Sequence, residues 1–420
     1  MMTSELLTPA KSLFVWIWLP NATEPVVAGR LDLVNGIHEF TYGRRYLTNP
    51  DAIPVYLPEL PMQKGIIPPK APLTIAGCLR DGSPDFWGRR VIINRLSGAK
   101  GNDLDVDALD EMNFMLQSGS DRIGALDFQV SAEKYVPRQQ GEVTLEMLMN
   151  AAAYVEAGTP LPQELDEALR HGTSIGGARP KAQIKADKTK YIAKFSASND
   201  QHSVVKGEYI AMKIASAAGL DVAQVALETV SGKDVLLIER FDRVNTDKGE
   251  IRRAMVSGLT ILDLAEHEAR YASYPMLATA LRQRSKTPQK DVKELFGRMC
   301  FNILVGNTDD HARNHAAFWD GRDLGLTPAY DIDPRPRMAH AANQAMSVFA
   351  ESNHSQLALV IKSAPDFGLS ELDARAIIKV QIEAIQDLFP ELAKDVDLSD
   401  QDYTLLRERA ILREYAFEGY

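Results

Sequence analysis

The sequence predicts an α+β chain in which a β-rich N-terminal part and a small antiparallel lobe precede a mostly helical C-terminal lobe. Three observations carry this. The first 75 residues are dense in β-formers and turn signals, the middle third reads strand pair, helix, strand pair, and helical periodicity dominates from Met255 onward. At 420 residues, with 45% hydrophobic and 25% charged residues, the composition is that of a globular protein of two or three domains. Collagen-like and disordered architectures are excluded.

Each element follows in order. The run Leu13–Leu19 is short, aromatic and β-branched, and only Lys11 precedes it as a basic residue, so it reads as a first strand and not a leader. Asn35-Gly36, Asn49-Pro50-Asp51 and prolines at 54, 58, 61, 68, 69 and 72 punctuate short strands. Helical patterning appears at Asp85–Leu96 and Asp107–Ser118. A polar linker at Val136–Gly141 leads to a helix over Leu145–Ala157. Ala182–Ala186 and Tyr191–Phe195 flank a polar loop, as in a hairpin. Lys206–Ala218 has apolar residues at 210, 211, 214, 215 and 218, with Gly219 placed as its C-terminal cap. Val222–Val230 and Val235–Ile238 are joined by Ser231-Gly232-Lys233. Asp291–Val305 is an amphipathic helix ended by Gly306-Asn307, and Ser370 and Ser399 open two further helices with capping patterns.

The balance of 47 Lys and Arg against 57 Asp and Glu gives a net charge of −10, which argues against nucleic-acid binding by the overall field. No stretch approaches the roughly 18 apolar residues of a membrane span. Cys78 and Cys300 are too few for a disulfide framework or a Cys-rich zinc site. The expectation is a cytoplasmic protein that does not touch the membrane.

The densest polar cluster is Gly306-Asn307-Thr308-Asp309-Asp310-His311-Ala312-Arg313-Asn314-His315, and Tyr330-Asp331-Ile332-Asp333 follows shortly after. Asp309 and Asn314 stand in the D-x-x-x-x-N spacing that protein kinases use, the Asp taking a hydroxyl proton and the Asn holding Mg²⁺. Asp331 is placed as the second metal-binding Asp, and hard oxygen ligands suit Mg²⁺. Upstream, Ser174-Ile175-Gly176-Gly177-Ala178-Arg179-Pro180-Lys181 is a Gly-rich loop entering the hairpin. Lys194 sits between Ala193 and Phe195 on the second hairpin strand, where an ammonium needs a partner. Glu208, in the first turn of the next helix, is a candidate. Ile238-Glu239-Arg240-Phe241-Asp242 leaves the small lobe as a hinge would, its backbone free to hold an adenine.

Rivals exist. Gly172-Thr173-Ser174-Ile175-Gly176 matches G-x-S-x-G, the nucleophile elbow of serine hydrolases, with His340 or His354 downstream. That motif needs a strand before it and a helix after it, whereas a helical Glu164–Arg170 precedes and Pro180 with a strand follows. His311 and His315 have zinc-site spacing without the H-E-x-x-H glutamate, and capping suits them better.

The loop Ser174–Lys181, the segment Leu237–Arg243, the Asn307–Asn314 string and Tyr330-Asp331 together resemble the HipA family of serine/threonine kinase toxins, over nearly the whole chain. The resemblance implies a two-lobed protein-kinase-like fold. It also implies an N-terminal β-rich subdomain over 1–135, a kinase small lobe over 136–245 and a helical large lobe over 246–420. By the same resemblance, Asp309 is the catalytic base, His311 assists at the phosphates, and Asn314 with Asp331 holds Mg²⁺. Lys181, Lys194, Glu208, Gly176, Gly177, Ala178 and the backbone of Glu239 and Phe241 bind ATP, and Ser174 is the autophosphorylated loop serine. The implied partners are a protein substrate, such as an aminoacyl-tRNA synthetase, and a HipB-like antitoxin through which DNA is reached only indirectly. Met255-Val256-Ser257-Gly258-Leu259-Thr260 departs from the family's Asp-x-x-Gln stretch. A nucleotide-binding partner of such an antitoxin, with little catalytic activity, is the alternative.

Overall fold

Leu13, Val15 and Ile17 alternate along β1 (Ser12–Ile17) and are fully buried, so the early apolar run is an internal strand with one face in a core. The computed structural model describes residues 10–98, 109–138, 144–159, 161–162, 165, 179–197 and 200–420. Around β1, the strands β2 (Val26–Val34), β3 (Ile37–Tyr42), β4 (Ile66–Ile67) and β5 (Leu126–Gln129) form an antiparallel sheet in the order β4-β3-β2-β1-β5. Asn35 and Gly36 both take positive φ between β2 and β3, the tight two-residue turn that matches strand twist.

The chain divides into two compact units. One comprises Met1–Asn199, Thr229–Val256 and Trp319–Arg322, and the other Asp200–Glu228, Ser257–Phe318 and Asp323–Tyr420. The first unit holds the five-stranded sheet and a second sheet in which β6 (Lys181–Ala186) and β7 (Thr189–Phe195) form the expected hairpin. The strand β8 (Val225–Val230) leads through Ser231-Gly232 into β9 (Lys233–Glu239), which pairs antiparallel with β7. One face of β6, β7 and β9 presents Ala182, Ala193, Phe195, Val235 and Leu237. These pack with Leu148, Ala152 and Val155 of the helix Leu145–Glu156 and with the fully buried Trp87.

The second unit is built around the helix Pro288–Val305, whose residues from Leu295 to Val305 are all buried. It packs against the helices Tyr274–Arg284 and Glu371–Asp395, and Gln381 Nε2 donates to Gly297 O at 2.8 Å between two of them. The helix Val204–Ala217 packs on Glu371–Asp395 and starts two residues earlier than its periodicity suggests, which puts Glu208 in its second turn. Ser370 and Ser399 cap their helices by accepting from Asp373 N and Asp402 N, as their sequence patterns predict. Both cysteines are buried and free. No helix among the described residues is long and apolar enough to cross a membrane.

Candidate active site

The helix Pro288–Val305 ends because Gly306 turns left-handed, with φ of +73°. A Cβ there would lie 2.4 Å from Ala410 O, so only glycine fits. The chain then forms a tight loop held by its own backbone. His311 N donates to Asp309 O at 2.8 Å, Asn314 N donates to His311 O at 2.8 Å, and Asn314 Nδ2 reaches Asp309 O at 3.3 Å. The five-residue spacing of Asp309 and Asn314 is thus converted into one turn.

The two adjacent aspartates have opposite fates. The Asp310 side chain is 3% exposed, and its Oδ2 accepts from Asn302 Nδ2 at 2.8 Å, from His315 Nε2 at 2.9 Å and from the Tyr274 hydroxyl. Burial, with Asp310's charge beside it, pushes the Tyr274 hydroxyl well up, so it stays protonated and donates. The Asp309 side chain is 46% exposed. Asp310 is therefore committed to holding the loop, and Asp309 is the carboxylate left open to an incoming group.

The pair Tyr330-Asp331 is tied to the same loop twice. Asn307 Nδ2 donates to Asn302 Oδ1 at 2.9 Å and to Asp331 O at 3.2 Å, and the Tyr330 hydroxyl donates to Arg313 O at 2.8 Å. Asp331 itself has φ of +63°, a backbone conformation that non-glycine residues rarely hold without a surrounding that enforces it. Four residues on, Arg335 N donates to Gly306 O at 3.2 Å. Its guanidinium lies 2.8 Å from Asp309 Oδ2 and 3.5 Å from Asp333 Oδ2. Asp309, Asn314 and Asp331 are thus brought to one place in the second unit. His311 is half-buried there, its Nδ1 enclosed without a hydrogen-bond partner. The oxygen donors of Asn314 and Asp331 are of the type Mg²⁺ takes.

In the first unit, Lys181 and Lys194 are direct cross-strand partners on β6 and β7, and both are buried. They lie on the sheet face opposite Ala182 and Ala193. The segment after β9 is fixed by the wholly buried Arg240. It reaches Asp242 at 2.8 Å, Gln183 Oε1 at 3.0 Å and Arg122 O at 2.7 Å, while Arg240 N donates to Lys190 O at 2.9 Å. Asp242 also pairs with Arg243 at 2.8 Å and accepts from Gly124 N at 2.7 Å. Burial alone would raise its carboxyl, but Arg240 and Arg243 outweigh that and hold it down at about 2. Glu239 and Phe241 thus flank a rigid anchor. Glu208 is buried on the helix Val204–Ala217 of the second unit.

Ser174, Gly176, Gly177 and Ala178, and with them the G-x-S-x-G match, lie outside the described residues. Sequence reasoning did not single out Asn302, Tyr274 or Arg335. The one available signal was Asn302 itself, a polar residue inside the apolar run Phe301–Val305.

The architecture and this loop define an α+β protein of kinase-like fold. A family model, the HipA-like C-terminal domain, matches residues 173–389, just over half of the chain, and the chain belongs to that family. It is 30% identical over 160 residues to Y4mE of Sinorhizobium fredii, covering 35% of this chain and 37% of that protein. It is 23% identical over 277 residues to the serine/threonine-protein kinase toxin HipA of Shewanella oneidensis, covering 59% and 60%. The chain aligns with between 37% and 62% of the length of the first curated relatives it matches. Among solved structures, HipA of Shewanella oneidensis, determined with HipB and operator DNA, superposes with a TM-score of 0.66 over 94% of each chain at 19% identity, which shows the fold.

Proposed function

We propose that the protein is an ATP- and Mg²⁺-dependent serine/threonine protein kinase. The single observation behind this reading is the half-exposed Asp309, held by its own turn beside Asn314 and linked through Asn307 to Asp331. Asp309 takes the proton of the acceptor hydroxyl, which an exposed carboxylate can reach and the buried Asp310 cannot. Asn314 and Asp331 would hold Mg²⁺, and Lys181 and Lys194 would hold nucleotide phosphates. Bound Mg²⁺-ATP would supply the transferable phosphoryl group. His311 assists at the phosphates, and the backbone of Glu239 and Phe241 takes the adenine.

The finer reading is of a toxin that phosphorylates a translation component, such as an aminoacyl-tRNA synthetase, and modifies its own Ser174. Its partner is a HipB-like antitoxin, and it reaches DNA only through that partner. The complex of the Shewanella relative with HipB and operator DNA supports this partner class. The deciding experiment is intact mass and peptide mapping of the wild type and Asp309→Asn after incubation with Mg²⁺-ATP. Added phosphate in the wild type alone supports the kinase. Nucleotide binding without transfer, to itself or to a panel of protein substrates, favours the nucleotide-binding partner of an antitoxin.

A further inference from the structure

Beyond the loop that carries Asp309, the chain runs Arg335-Pro336-Arg337, and Arg337 N donates to Arg409 O at 3.0 Å. This places Arg337 beside the end of the helix Asp400–Arg409 and the following Arg413. Burial first, and then the charge of Arg413, pull the Arg337 pKa down. Nε and Nη1 of Arg337 and Nε of Arg413 are enclosed by protein yet meet no acceptor. Among the described residues neither side chain has a carboxylate partner. Glu408 turns its carboxylate to Arg407 at 3.3 Å and offers Arg413 only its backbone carbonyl, and Glu418 pairs with His340 at 2.8 Å.

Two like charges held together and partly withdrawn from water destabilise a fold unless an anion joins them. Guanidinium forks with unused N–H groups match phosphate oxygens better than any other common anion. Both residues are only half-buried, so an anion can reach the parts of the guanidiniums that the protein leaves open.

We infer that Arg337 and Arg413 form a binding site for a phosphate monoester dianion, distinct from the residues proposed to hold ATP. This inference stands whether or not the protein transfers phosphoryl groups. The phosphate has two possible sources, free inorganic phosphate or a phosphorylated serine side chain.

The test is thermal melting of the full chain, wild type, Arg337→Met and Arg413→Met, in inorganic phosphate, in N-acetyl-phosphoserine amide, and in acetate or chloride at equal ionic strength. The expected result is a rise of a few degrees for the wild type with the phosphate compounds alone, absent from both variants. Without phosphate, each variant should melt at or above the wild-type temperature, because a repulsion has been removed. A larger rise with the phosphoserine compound assigns the site to phosphorylated protein, and an equal rise assigns it to free phosphate. A wild type that responds no better to phosphate than to acetate overturns the inference. So does a phosphate response that survives in both variants, or a variant that melts lower without ligand.

Discussion

Arg335 Nη2 stands 2.8 Å from Asp309 Oδ2, so the proposed base meets a cation carried by the same segment that carries Asp331. Both side chains are 46% exposed, which makes the pair a weak contributor to stability, under about 1 kcal/mol. Its consequence is for position. The contact occupies one carboxylate oxygen and leaves the other for an acceptor hydroxyl. Arg335→Ala is expected to lower turnover roughly ten- to a hundredfold, because the base loses its orientation, while melting barely moves. Steady-state kinetics and calorimetry on the same preparation check this, and a large drop in melting temperature would mark Arg335 as a fold-holding residue instead.

The neighbouring aspartates give a paired prediction. Asp309→Asn should abolish phosphoryl transfer with a stability change under about 1 kcal/mol, because the side chain is half in solvent. Asp310→Asn should cost roughly 2–4 kcal/mol, since Tyr274, Asn302 and His315 all donate to one buried oxygen. Denaturant unfolding of the two variants side by side tests the assignment. Equal losses would refute the division of roles.

Acid should destabilise the first unit in a defined window. Asp242 is held at about 2 when folded, below the usual aspartate value of 3.8. A depressed folded pKa contributes stability that is fully present above the unfolded value and is lost as pH falls through the folded one. For Asp242 that is about 2 kcal/mol, lost between about pH 4 and pH 2. Asp121 and Asp127 are also lowered, since arginines around them outweigh the effect of burial, and they add to the same trend. Urea midpoints measured from pH 7 to pH 2.5 should be flat and then fall. Asp242→Asn should be less stable at pH 7, with a shallower decline.

Gly306→Ala should destabilise by roughly 2–3 kcal/mol, from a left-handed backbone and a Cβ driven onto Ala410 O. Gly325→Ala is the control, since a Cβ at Gly325 meets nothing within 4 Å. Similar melting of the two variants would show that the loop shifts freely, and the precise placement of Asp309 would then lose its support.

Much of the local structure was legible because its causes are local. The Asn35-Gly36 turn, the Ser370 and Ser399 caps, the hairpin around Asp187 and the stop at Gly306 each follow from a residue whose conformational preference acts within a few positions. The start of the helix at Val204 was missed by two residues, because Val204 and Val205 are held by burial and not by a capping signal. The cluster of Asp309, Asn314 and Asp331 was legible as residue types in a spacing.

The sequence by itself determined the α+β class, the order of elements and the candidate chemistry of the Asp309–Asn314 loop, since periodicity, turn residues and motif spacing are written along the chain. Only the tertiary structure decided which of two adjacent aspartates faces solvent, because that depends on Tyr274, Asn302 and His315 converging on Asp310 from other elements. It likewise decided that Lys181 faces Lys194 across two strands and that Arg335 meets Asp309. Burial and pairing between distant residues are set by packing, and no local pattern encodes them.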